Sequence, residues 1–176
     1  EILIAILCLI GGFLTPVIIS TGSNQPMQLF TYVLILGTGA MGCAYYRKWR
    51  IVNLIAFLGT YALYIGWFEK FYRRQLNISA NLPEQTTVAL VWLAVFFALY
   101  HLLPLFHGLI RKTIAQKEDL LLVLANSMIT FYYLWTFFFE HHRVELAFCG
   151  IGLCIAHLLL MGVVTRRCKD DLDLRL

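Results

Sequence analysis

Hydrophobic positions dominate the chain in six unbroken stretches, approximately Ile2–Ser20, Leu29–Tyr46, Ile51–Phe68, Thr87–Ile110, Leu120–Phe139 and Leu146–Thr165. Each is long enough to cross a hydrocarbon core of about 30 Å as a helix, which takes roughly 20 residues. Backbone groups in lipid find partners only within helices or closed barrels. The runs are continuous rather than alternating, so the pattern predicts an all-α, polytopic transmembrane helical bundle of six spans arranged as hairpins. The first span carries Gly11, Gly12 and Pro16, and is expected to kink or break before the polar turn Ser20–Gln28.

Composition sharpens this reading. Hydrophobic residues make up 60% of the 176 and charged residues only 14%, with a mean hydropathy of +0.75. A soluble domain has roughly 25% charged residues, so much of this apolar surface must face lipid. The net charge of +4 is not a nucleic-acid signal, because the basic residues fall singly or in short groups between apolar runs. Arg47, Lys48, Arg50, Arg111, Lys112, Lys117, Arg166, Arg167, Lys169 and Arg175 lie on one side of the six-span topology; Lys70, Arg73, Arg74 and Arg143 lie on the other. The positive-inside rule then makes both ends cytoplasmic. The Glu69–Gln85 and Glu140–Glu145 loops fall outside. Residues 1–176 are expected to form one transmembrane module. Starting at Glu1 and ending in the linker-like Asp170-Asp171-Leu172-Asp173-Leu174, it is expected to be a piece of a longer chain.

A weak internal repeat relates the third and fifth spans and supports a design of helical hairpins. Aligning Glu69 with Glu140 superposes Tyr61 on Tyr132, Tyr64 on Trp135, Trp67 on Phe138 and Phe68 on Phe139. Spacing of i, i+3, i+6 makes each set one aromatic stripe ending in a carboxylate. Such stripes arise by duplication, or as aromatic belts at the lipid–water interface.

Candidate chemistry is sparse. His101, Asn126 and His157 fall well inside spans four, five and six, and Asn53 and His107 lie nearer the cytoplasmic ends. Polar groups in lipid must pair, so the first three are expected to face the bundle interior, as interhelical hydrogen bonds or as a polar path. Asn126 is expected to contact a neighbouring helix, with Leu122 as a lipid-facing contrast. No Asp, Glu, Lys or Arg lies at mid-membrane, which argues against an ion-coupled pump in this segment. Outside, Glu69, Glu140, His141 and His142 gather at the ends of spans three and five. Carboxylate with His suits acid/base work or weak metal binding. Adjacent His residues on a helix point about 100° apart, however, so solvated loop charge is the simpler reading. Four of the five cysteines sit in apolar runs without metal-ligand spacing and are read as small packing residues. No cofactor or metal site is expected, and no phosphate-binding, dinucleotide or nucleophile motif occurs.

Gly11-Gly12-Phe13-Leu14-Thr15-Pro16-Val17, Ser20-Thr21-Gly22-Ser23, Leu29-Phe30, Tyr32, Trp49-Arg50, Asn53-Leu54, Phe57 and Thr60 occur in order across the first three spans. This combination resembles the large bacterial multi-pass membrane proteins known as domain of unknown function 2339, as does the later run into Ala125-Asn126. Thr15 stands where that family more often has Ala. The resemblance implies an internal fragment of a longer inner-membrane chain and carries no catalytic residue.

Three functions compete. The first is a non-enzymatic, structural or envelope-related module of a larger bacterial inner-membrane protein, whose partners are the lipid bilayer and the remaining spans of its parent chain, with no nucleic acid. The second is a transporter or lipid- or glycan-handling unit with a polar path through His101, Asn126 and His157. The least favoured is a membrane-embedded enzyme using Glu140 with His141 or His142.

Overall fold

The computed structural model describes residues 1–20, 22–47, 49–76, 85–111, 117–138 and 143–173, with side chains apart from those of residues 44, 45, 47, 76, 104–111, 117–120 and 164–173. All regular structure among them is helical. The order is α1 (Ile2–Ile18), α2 (Pro26–Arg47), α3 (Arg50–Trp67), a π-helical turn (Phe68–Tyr72), α4 (Arg73–Leu76), α5 (Thr86–Arg111), α6 (Lys117–Phe138) and α7 (Arg143–Asp173). Five helical stretches are long and apolar enough to cross a membrane: α2, α3 with its continuation to Gln75, α5, α6 and α7. The apolar α1 is shorter, at 17 residues.

Several helix ends extend past the apolar runs. α2 begins at Pro26 rather than Leu29, α6 at Lys117 rather than Leu120, and α7 reaches Asp173, so the acidic tail is helix there and not linker. An apolar run stops where lipid stops, whereas i→i−4 bonding continues into water. The same holds after Phe68. Residues Glu69–Leu76, expected as loop, continue α3 through the π turn into α4. Phe68 and Tyr72, both fully buried, stack at 4.9 Å, and the Tyr72 hydroxyl lies 2.7 Å from Thr86 Oγ1 at the start of α5.

The chain divides into two compact units, Glu1–Phe96 and Phe97–Leu176, with the division inside α5. In the first unit α3 packs against both α1 and α2. Phe30 of α2 is the hub of an aromatic core, with ring centroids 5.5 Å from Tyr64, 5.1 Å from Trp67, 5.7 Å from Trp92 and 5.8 Å from Phe96. Tyr64 donates to the Ala89 carbonyl (3.0 Å), and Asn24 links Trp67 to Gln85, accepting from the indole and donating to the amide oxygen, both at 2.8 Å. α1 approaches α3 at Gly59, where a Cβ would lie 2.5 Å from the Phe13 ring.

The first span stays one helix, and its expected departure from regular bonding lies at Pro16. α1 stays helical through Pro16 to Ile18, and the amide of Ile19 still bonds the Thr15 carbonyl at 3.0 Å. Proline deprives the carbonyl four residues earlier, that of Gly12, of its helical donor. The Tyr32 hydroxyl of α2 supplies one at 2.8 Å. Gly12 also lets α2 close in, since a Cβ there would meet Leu36 at 3.0 Å.

In the second unit α7 packs on α6 yet leaves most of its apolar side chains open, including Phe148, Ile151, Ile155 and Leu158. Leu3, Leu7, Ile35, Leu121 and Leu124 are also exposed. Water would disfavour such surfaces, whereas lipid accepts them, so this is a membrane protein whose helices contact the bilayer. Leu122, expected to face lipid, is instead buried: it is Leu121 and Leu124 that point outward. Cys8, Cys43 and Cys154 are exposed rather than packed, and the described cysteines are unpaired.

The two aromatic stripes have different fates. Tyr61, Tyr64, Trp67 and Phe68 are core, not an interfacial belt, whereas Tyr132 and Trp135 are exposed. Phe139 lies outside the described residues.

Candidate functional site

The polar residues of the second unit come from three helices: His101 from α5, Asn126 and Ser127 from α6, and His157 from α7. Helical spacing puts Asn126 and Thr130 on one side of α6, and both are buried. Asn126 is fully enclosed and its Nδ2 donates to the Phe97 carbonyl of α5 at 3.0 Å. It therefore faces inward and bonds a neighbouring backbone, as expected. Thr130 returns its hydroxyl to the Asn126 carbonyl at 2.8 Å.

His101 lies one turn after Phe97, whose ring stacks on the imidazole at 4.8 Å. Its Nε2 is 3.2 Å from the Ala156 carbonyl of α7. A carbonyl only accepts, so this nitrogen carries the proton. Nδ1 of His101 is buried without a hydrogen-bond partner. The His157 ring meets the His101 ring edge-on, with centroids 4.8 Å apart. Nδ1 of His157 is 2.7 Å from the Leu153 carbonyl, and Nε2 is 2.7 Å from Ser127 Oγ. That oxygen in turn reaches the Val123 carbonyl at 2.8 Å.

Of the residues singled out in sequence, His101 and His157 are thus in contact, and Asn126 reaches the same stretch of α5 through Phe97. His107 lies outside the described side chains. Asn53 is buried in the first unit, with Oδ1 unpartnered.

The outer-face group is only partly described, because Glu140, His141 and His142 fall outside the described residues. Glu69 forms an i, i+4 pair with Arg73, at 2.9 Å to Oε1 and 3.0 Å to Oε2. With helix continuing to Leu76, Glu69 does not stand at a helix end. Among the described residues no group of His, Cys, Asp and Glu is arranged to hold a metal ion. In the kink motif, Gly12 and Pro16 act together at the Tyr32 hydroxyl, while Gly11 meets no neighbour within 4 Å of an added Cβ.

Ser127 and Tyr32 make hydrogen bonds that residue-by-residue reading passed over. Ser127 is one of many small residues in an apolar run. Tyr32 had a signal, since a proline inside a span implies a donor elsewhere for the carbonyl four residues back.

The family model described as "Predicted membrane protein (DUF2339)" matches residues 2–175 of the chain. No curated protein and no solved structure shows a match.

Proposed function

Because the chain belongs to the DUF2339 family of predicted membrane proteins, we propose that it is a structural module of a larger bacterial inner-membrane protein with an envelope-related role. Its partners are the bilayer and the other spans of the parent chain, and both of its ends face the cytoplasm, the side where Arg47, Arg50, Arg111 and Arg166 accumulate. It needs no cofactor and touches no nucleic acid.

One observation carries this reading. The interior polar side chains of α5, α6 and α7 bond one another or nearby carbonyls: Asn126 to Phe97, His101 to Ala156, and His157 to Leu153 and Ser127. A module that only holds helices together closes its polar groups in this way, because hydrocarbon satisfies none of them. A transport path would instead leave them facing a wet cavity. The alternative, a transporter or a lipid- or glycan-handling unit, draws on the unpartnered Nδ1 of His101. An enzyme using Glu69, Glu140, His141 and His142 has the least support, since Glu69 is engaged by Arg73.

The test is a set of interior substitutions, Asn126→Leu and His101→Gln, in the parent protein in its own cells. Membrane abundance and envelope integrity are measured together. A structural module loses abundance in proportion to its envelope phenotype. Normal abundance with a lost phenotype would favour the transport reading.

A further inference from the structure

We propose that His157 is a proton-binding site inside the second unit, with the Ser127 hydroxyl as a two-position rotor serving both protonation states. This goes beyond the structural reading above and does not depend on it.

The argument is a count of protons. Leu153 presents a carbonyl to His157 Nδ1 at 2.7 Å, so Nδ1 bears a hydrogen in either state. Ser127 has one hydroxyl hydrogen and two neighbours for it, the Val123 carbonyl at 2.8 Å and His157 Nε2 at 2.7 Å. When the ring is neutral, Nε2 is a lone pair and the hydroxyl turns to donate to it. When the ring is charged, Nε2–H donates to Ser127 Oγ and the hydroxyl turns to Val123. Every polar atom of the His157 and Ser127 side chains is satisfied in both arrangements, and no heavy atom moves. The charged state replaces the neutral bond between α6 and α7 with a charge-assisted one, which is stronger. Proton uptake thus tightens this helix pair without rearranging it.

His101 cannot take the same role. Its Nε2–H is engaged by Ala156, and a second proton would sit on Nδ1, a buried atom with no acceptor. The two rings are also too close, at 4.8 Å between centroids, for both to be charged. The pair therefore binds one proton, on His157. Among the described residues the groups against it are His101 from α5 and Ser127 from α6; on α7 itself the nearest titratable group is Cys154, one turn earlier, with Glu145 three turns earlier. No Asp, Glu, Lys or Arg occurs in residues 121–138 of α6 or 146–163 of α7.

The experiment is 15N and 13C NMR of the whole chain in lipid nanodiscs, followed from about pH 8 to 5, where histidine titrates. Tyr100–His101 and Ala156–His157 are unique neighbour pairs, so both rings are assigned without substituting a histidine. At high pH the expected tautomers are opposite, Nδ1–H for His157 and Nε2–H for His101. At low pH only His157 gains a second proton. Ser127→Ala should reduce its doubly protonated fraction about fivefold at a given pH, the difference between losing a hydrogen bond to a charged ring and losing one to a neutral ring. Ser127→Thr should preserve it. The proposal is overturned by a His157 that stays singly protonated throughout, by first protonation at His101, or by Ser127→Ala titrating like the natural chain. The wild-type tautomers alone decide the matter if a variant fails to fold.

Discussion

The Tyr32 hydroxyl donates to the Gly12 carbonyl at 2.8 Å, and Gly12 is the residue whose carbonyl Pro16 leaves without a helical donor. A carbonyl stranded in hydrocarbon costs several kcal/mol. One phenol on the neighbouring helix removes that penalty and ties α2 to α1 at the point where α1 is weakest. A proline in this span therefore serves as a docking point between helices.

Tyr32→Phe is expected to destabilise the chain by about 1–3 kcal/mol, the cost of leaving an acceptor unsatisfied, measured as a lower Tm in detergent. In a Pro16→Ala background the amide of residue 16 can serve the Gly12 carbonyl, so the same change should cost much less. A double-mutant cycle compares the two. Equal costs in both backgrounds would mean that the hydroxyl is not standing in for the missing amide.

Gly59 is the close contact between α1 and α3. Gly59→Ala would press a methyl group to 2.5 Å from the Phe13 ring and should cost about 1–3 kcal/mol, as overpacking does. Gly66→Ala, on the same helix with nothing within 4 Å, serves as the control and should leave the Tm unchanged or slightly raised. A Phe13→Leu partner should relieve part of the Gly59→Ala loss. A Gly59→Ala variant as stable as the control would remove the close-packing account.

Asn126→Leu removes the bond to the Phe97 carbonyl from a fully enclosed position. Interhelical bonds in membranes average about 0.6 kcal/mol, with a maximum near 1.7, so a modest fall in Tm with the fold intact is expected. Leu124→Ala, at an exposed position, is the lipid-facing comparison and should change little. Equal, negligible effects would show that Asn126 does not hold α6 to α5.

Topology is tested by single cysteines at Ser23 and Lys117 in a background without the five native cysteines. A membrane-impermeant reagent should label position 23 from the periplasmic side and position 117 only after the membrane is opened. Labelling of both from one side would overturn the orientation.

Much of the fold was legible because the bilayer imposes a single rule on the backbone. Unbroken apolar runs of this length have to be helices, and the spans read from the sequence correspond to helices in the structure. Asn126 was legible too, because an amide in hydrocarbon must turn inward. Helix ends were less so: Glu69–Leu76 is polar enough to read as loop, yet Tyr72 and Thr86 hold it in helical register. The candidate site was legible only in part. His101 and His157 stood out by residue type, but nothing in their spacing announced that their rings meet, or that Ser127 completes the arrangement.

The sequence by itself therefore determined the helical class, the apolar runs and the residues for which lipid offers no partner, because those follow from local hydropathy and hydrogen-bonding need. Which side of each helix is buried was decided only by the tertiary structure. Stripes of equal spacing became core at Tyr61 and Tyr64 but open surface at Tyr132 and Trp135. Leu121 and Leu122, adjacent and identical in chemistry, point to opposite environments. Within a membrane every face of a helix is apolar, so periodicity carries no inside-or-outside signal. The choice falls to shape, as at Gly59 against Phe13, and to the few polar groups, such as Tyr32 and Ser127, that must find one another across helices.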